Sequence, residues 1–133
     1  MTNARPAVLI AEDEVPLRRV LERALEREGY RVLGAGSAET AYDVLGSQTV
    51  DAVLLDIQLP TMSGLALYLA IVHRWPTLAG RIAIMTGDAE GAEVQAWLAR
   101  NPCPVLRKPF HLQEIFEWLK GVTRMRPRER ANG

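Results

Sequence analysis

A chain of 133 residues, 48% hydrophobic and 24% charged, fits one ordinary domain around a single core and leaves no room for two. Its 16 basic residues balance 16 acidic ones, which removes the electrostatic footprint expected of a nucleic-acid or anionic-membrane binder. The single cysteine, Cys103, excludes an internal disulfide framework and suits a reducing compartment. The N-terminus lacks the apolar core of a signal peptide, and the longest apolar run, residues 65–72, is far too short to span a bilayer. A soluble cytoplasmic domain is expected.

In chain order, residues 7–11 form a short apolar run that predicts a buried strand. Leu17, Val20, Leu21, Ala24 and Leu25 then recur at helical spacing on one face, with Gly29 as a stop. A weaker strand, residues 30–33, precedes Gly34 and Gly36, and Ser37 can cap a helix whose inner face is Ala38, Ala41 and Leu45. Residues 52–55 predict a third strand. A helix beginning near Gly64 and Leu65 must end by Trp75 and Pro76. Residues 82–85 predict a fourth strand, residues 89–98 a fourth helix, and residues 105–106 a fifth strand. The last helix carries Leu112, Ile115, Phe116 and Leu119 on one face.

Strict alternation of five strands and five helices predicts an α/β fold, a doubly wound parallel sheet with helices on both faces. Strands so uniformly apolar are those covered on both sides. The domain is expected over residues 1–122. The stretch 123–133, with Arg124, Arg126, Arg128 and Arg130, has little to bury and is expected to be a short, solvated basic tail.

The polar residues sit where the strands end. The first predicted strand runs into Glu12 and Asp13, the third into Asp56, the fourth into Thr86 and the fifth into Lys108. In a parallel sheet these ends share one edge, and open α/β sheets bind ligands in the crevice outside it. Carboxylates within ~6 Å of one another repel unless a cation joins them. Mg²⁺ suits one or two carboxylates together with water and phosphate oxygens. A carboxylate beside such an ion can attack phosphorus and form an acyl phosphate. Lys108 and the Thr86 hydroxyl would then contact the oxygens of the transferred group.

Ala-Glu12-Asp13-Glu, Leu-Leu-Asp56-Ile-Gln-Leu-Pro60-Thr-Met-Ser-Gly64, Met-Thr86-Gly and Lys108-Pro109-Phe110 occur in that order. With these motifs the chain resembles the receiver domains of two-component response regulators, from about Val8 to Val122. The resemblance implies a (βα)5 flavodoxin-like fold. It also implies a phosphoacceptor at Asp56, Asp13 as a direct Mg²⁺ ligand, Glu12 assisting through water, and the Gln58 carbonyl completing the protein's metal ligands. Thr86 and Lys108 would bind the phosphoryl group, and the Lys108–Pro109 peptide would be cis. The implied donor is a histidine kinase or histidine phosphotransfer protein, and the signal would leave through contacts with a downstream protein. The face of the fourth helix, fifth strand and fifth helix is the candidate for a weak homodimer. The implied chemistry is self-catalysed phosphotransfer and slow autodephosphorylation, without turnover on a free substrate.

Two departures stand out. Val105 occupies a position where receivers commonly carry Tyr or Phe, which puts an aromatic switch in doubt. His111 stands where a better helix cap is usual. The competing readings are an aspartyl-nucleophile phosphohydrolase and a degenerate receiver that only binds. The first would want an acid two residues after the nucleophile, where Gln58 stands; the second is opposed by the intact acidic pair, Asp56, Thr86 and Lys108. No Gly-rich phosphate loop follows the first strand, which disfavours a nucleotide-binding module. His73 and His111 are expected on the surface, Cys103 in a structural role, and Trp75, Trp97 and Trp118 as packing anchors. Eleven residues after the last helix are too few for an output domain, and the initiating Met1 suggests a stand-alone receiver.

Overall fold

A computed structural model describes residues 5–124 of the chain. The elements are β1 (Ala7–Ala11), α1 (Val15–Arg27), β2 (Arg31–Ala35), α2 (Ala38–Ser47), β3 (Ala52–Asp56), α3 (Gly64–Arg74), β4 (Ile82–Thr86), α4 (Ala92–Arg100), β5 (Val105–Arg107) and α5 (Leu112–Arg124). One 3-10 turn, Pro76–Leu78, follows α3. The five strands form one parallel sheet in the order β2-β1-β3-β4-β5.

Side chains alternate across a strand, and here the two sets define two cores. Val8, Ile10, Ala52, Leu54, Ala83 and Met85 pack under Leu21 and Leu25 of α1 and Ile115 and Leu119 of α5. On the other face, Leu9, Ala11, Val53, Leu55, Ile82 and Ile84 meet the inner residues of α2, α3 and α4. All of β1, β3 and β4 is buried, as expected of strands sandwiched by helices.

Local chemistry sets the element ends. Ser37 and Ser63 accept hydrogen bonds from Thr40 N and Ala66 N, each at 3.1 Å, and so cap α2 and α3. Gly29 takes a φ of +100° just past α1, a conformation that glycine adopts without a Cβ penalty. Trp97 of α4 packs edge-on against Tyr68 of α3 at 5.0 Å, and Tyr42 meets Trp75 at 5.0 Å. Trp118 packs against the α1/α5 core, so all three tryptophans are packing residues.

Several boundaries differ from the sequence expectation. β2 continues through Gly34 and Ala35. α4 begins at Ala92, because Gly91 is its N-cap and Ala89 is buried in the preceding loop. Val20 is 56% exposed and lies off the buried stripe of α1. The domain edge expected at residue 122 falls inside α5: Thr123 is buried and its hydroxyl donates to Leu119 O at 2.7 Å. The basic stretch from residue 125 onward lies outside the described residues.

Gly64 shows how the fold holds the loop after β3. Its N–H donates to Ile57 O at 2.9 Å, bringing the start of α3 against the backbone of Asp56 and Ile57. A Cβ at residue 64 would collide with Asp56 O and lie 2.6 Å from Ile57 Cα. Gly46 in α2 has open space around it. Gly64→Ala is therefore expected to destabilise the chain by about 1–3 kcal/mol through forced backbone movement. Gly46→Ala should stabilise it by about 0.5–1 kcal/mol. Urea denaturation of both variants checks the pair.

Candidate functional site

The strand ends deliver the polar residues, and alternation sorts them. Glu12 continues the series Val8, Ile10 of β1, and Asp56 the series Ala52, Leu54 of β3. Lys108 follows Leu106 of β5 by two residues. All three therefore fall on the α1/α5 side of the sheet edge. Thr86 follows Ile82 and Ile84 and falls on the opposite side.

The contacts follow this sorting. Lys108 Nζ donates to Asp56 Oδ2 at 2.9 Å and to Glu12 Oε1 at 3.0 Å. Gln58 N donates to Asp56 Oδ1 at 2.9 Å, and Glu14 N to Glu12 Oε2 at 3.1 Å. Asp56 is 3% exposed and Glu12 1% exposed, whereas Asp13 faces solvent. Carboxylate oxygens of Glu12, Asp13 and Asp56 lie within 4.8 Å of one another. The Lys108–Pro109 peptide is cis. The sequence placed Lys108 at the phosphoryl group; its hold on both Asp56 and Glu12 is seen only in the structure.

Thr86 is 3% exposed, and its hydroxyl oxygen accepts a hydrogen bond from Asp88 N at 2.9 Å, so it is tied to the loop between β4 and α4. It borders a cavity of about 300 Å³ between the N-termini of α3 and α4, whose lining includes Gln58, Ser63, Asp88 and Glu93. Arg107 and Glu90 pair at 2.6 Å across the same loop on the exposed surface. Val105 is half-buried against the α2/α3/α4 core.

Arg18 escaped the sequence reading. Its Nη1 donates to the Glu12 carbonyl at 2.7 Å, at the turn carrying the acidic pair. Three residues expected to have structural or surface roles lie as follows. His73 and His111 are exposed, and Cys103 is a half-buried thiol that burial pushes up to about 11, away from thiolate chemistry at neutral pH.

The electrostatics are those of a crowded anionic site with one internal cation. Burial pushes the Glu12 carboxyl above the usual carboxylate range; the Glu14 N–H opposes this and the facing Asp56 adds to it. Burial pulls the Lys108 ammonium down, but its hydrogen bonds to Asp56 and Glu12 outweigh that and leave it above the ordinary lysine value. Three oxygens so close, with Asp13 open to solvent, are the hard-donor set that a divalent cation accepts. The residues fit Mg²⁺.

A parallel five-stranded sheet with an acidic trio and a lysine at its C-terminal edge defines a receiver fold. The response regulator receiver domain model matches residues 8–120, and the chain belongs to that family. It is 35% identical over 108 residues to the response regulator receiver protein CpdR of Brucella abortus, covering 81% of this chain and 88% of that protein. It is 32% identical to the phosphate regulon regulator PhoB of Pseudomonas aeruginosa, covering 88% of this chain and 51% of that protein. It thus spans most of one relative and about half of the other.

Among solved structures, a CheY-like receiver domain from Methanospirillum hungatei superposes with a TM-score of 0.82 at 22% identity, covering 97% of this chain and 99% of that one. The TrrA response regulator of Thermotoga maritima, solved with Mg²⁺ and BeF, gives a TM-score of 0.75 at 25% identity, covering 88% of this chain and 98% of that one. Among the described residues, no helix is long and apolar enough to cross a membrane.

Burial makes Glu12 hold its proton more tightly in the folded chain than in the unfolded one. The stability this group contributes is therefore complete below the ordinary value of 4.5 and is lost as pH rises through the higher folded value. Glu12→Gln removes that loss. In the absence of divalent ions the variant should be more stable than wild type at pH 7, with the difference closing as the pH falls toward 4.5. Urea denaturation across that range measures it.

Proposed function

We propose that the chain is a phosphoacceptor receiver of a two-component or phosphorelay system, taking a phosphoryl group on Asp56 from a histidine kinase or histidine phosphotransfer protein. The observation that carries this is the buried Asp56 carboxylate, held by Lys108 on one oxygen and by Gln58 N on the other, within reach of Glu12 and Asp13.

Both Asp56 oxygens accept hydrogen bonds, which fixes the carboxylate plane and leaves lone pairs for attack. An Asp56 oxygen forms the new bond to phosphorus as the phosphorus–nitrogen bond of a phosphohistidine breaks. The imidazole leaves with the electron pair and takes up a proton. Lys108 then shares its hydrogen bonds with a phosphoryl oxygen. Since the Thr86 oxygen accepts from Asp88 N, its own O–H remains to donate to the phosphoryl group. Glu12, Asp13, Asp56 and the Gln58 carbonyl would hold Mg²⁺, Glu12 through water. The ion supplies neutralisation of the carboxylates and of the charge developing on the phosphoryl oxygens.

Receiver domains act through protein contacts, and here the route outward begins at Thr86. Its bond to Asp88 N ties any movement of the hydroxyl to the loop before α4. Val105 is too short and too stiff to play the part of a swinging aromatic.

The test is phosphorylation by a small phosphodonor with Mg²⁺ present. Wild type should incorporate one acid-stable, alkali-labile phosphoryl group. Asp56→Asn, nearly isosteric, should fold and incorporate none. Undiminished labelling of that variant would refute the assignment.

A further inference from the structure

The acidic turn is short, and something must fix it. Glu12 N is held by Ala35 O at 2.9 Å, from the end of β2. The carbonyl of Glu12 accepts from Arg18 Nη1 at 2.7 Å, from the second turn of α1. One peptide group on either side of the Glu12 side chain is thus clamped, from two different elements.

The arginine itself is confined. Its side chain is 20% exposed and pairs with Glu22 one turn along α1, Nε to Oε2 at 3.6 Å. It lies across the end of β2, over Gly34 in the strand and Gly36 just beyond it. A Cβ at Gly36 would sit 3.1 Å from Arg18 Nη1, and one at Gly34 would collide with Glu22 Oε2 and come 3.3 Å from Arg18 Nε. Neither glycine has a positive φ. What they provide is room, and the arginine–glutamate pair fills it.

We propose that Arg18, seated over Gly34 and Gly36 and braced by Glu22, is a positioning residue for the divalent-cation pocket, fixing the Glu12–Asp13 turn through the Glu12 carbonyl. It acts through the Glu12 carbonyl and not as a ligand. The inference rests on the Mg²⁺ reading of the pocket given above. The sign of the effect separates positioning from simple charge. A cation near an anionic pocket disfavours a second cation, so on charge alone removal of Arg18 tightens Mg²⁺ binding. A residue that holds the ligand turn in place does the opposite, because groups that orient metal ligands are worth roughly 10- to 100-fold in affinity.

Two variants of the full chain probe this from different sides. Arg18→Met removes the guanidinium and keeps much of the stem. Gly36→Ala keeps every charge and crowds the guanidinium at its seat. Both are titrated with MgCl₂ by calorimetry. Amide exchange at Glu14, whose N–H donates to Glu12 Oε2, is followed in the metal-free chain. Both variants should bind Mg²⁺ about tenfold more weakly than wild type, with faster exchange at Glu14, while Arg18→Lys should recover part of the affinity. Equal or tighter Mg²⁺ binding by Arg18→Met, or wild-type affinity and exchange in Gly36→Ala, would overturn the proposal. Wild type that fails to bind Mg²⁺ at all would overturn the metal reading itself, and this inference with it.

Discussion

Two buried carboxylates, Glu12 and Asp56, share one ammonium, Lys108, and the rest of the site is arranged around that fact. Burying an ionised carboxylate is costly unless it is paired and hydrogen-bonded. Lys108 meets that need for both groups at once, and the backbone N–H groups of Glu14 and Gln58 satisfy the remaining oxygens. Even so, burial and the facing Asp56 push the Glu12 carboxyl above the usual carboxylate range. A second cation bound there would offset that crowding of negative charge. The solvent-facing Asp13 gives such an ion a way in.

The sheet makes this geometry unavoidable. Ala11 pairs with Leu55, so Glu12 and Asp56 stand opposite each other one step further on and point to the same side. Thr86 pairs with Arg107 on the far side of β4, and its side chain falls toward α3 and α4. The edge is thereby divided: charge neutralisation faces α1 and α5, while the hydroxyl that would report a bound phosphoryl group faces the loop leading to α4. Gly64 keeps the loop after β3 pressed against the Asp56 backbone, so the carboxylate is held by its own main chain as well as by its partners.

Much of this was legible in the sequence because strands covered on both faces leave uninterrupted apolar runs, and because polar residues immediately after such runs must gather at one edge. Glu12, Asp13, Asp56 and Lys108 were brought together on that argument, and the structure places them in one cluster. What was not legible depends on which way a residue points. Thr86 stood among the clustered residues until strand alternation separated it from them. Val20 has the right spacing for the buried stripe of α1, yet the stripe is centred on Leu21 and Leu25 and leaves it exposed. The fourth helix was expected from Ala89, but that residue is buried in the loop before Ala92. Arg18 carried no signal at all: an arginine in an amphipathic helix is ordinarily a solvated charge, and only the folded chain brings it back to Glu12 and over Gly34 of β2 and Gly36 just past that strand.

The central claim is that Lys108 is the counter-ion of a carboxylate pair and not a surface lysine. A double-mutant cycle on unfolding free energy, without divalent ions at pH 7, tests it directly. Lys108→Met in the wild-type background leaves two charges facing each other under cover, and should cost roughly 2 kcal/mol or more. In a Glu12→Gln, Asp56→Asn background there is no charge left to neutralise, and the same substitution should change stability by no more than about 0.5 kcal/mol. An equal cost in both backgrounds would mean that Lys108 contributes only packing, and would contradict the account.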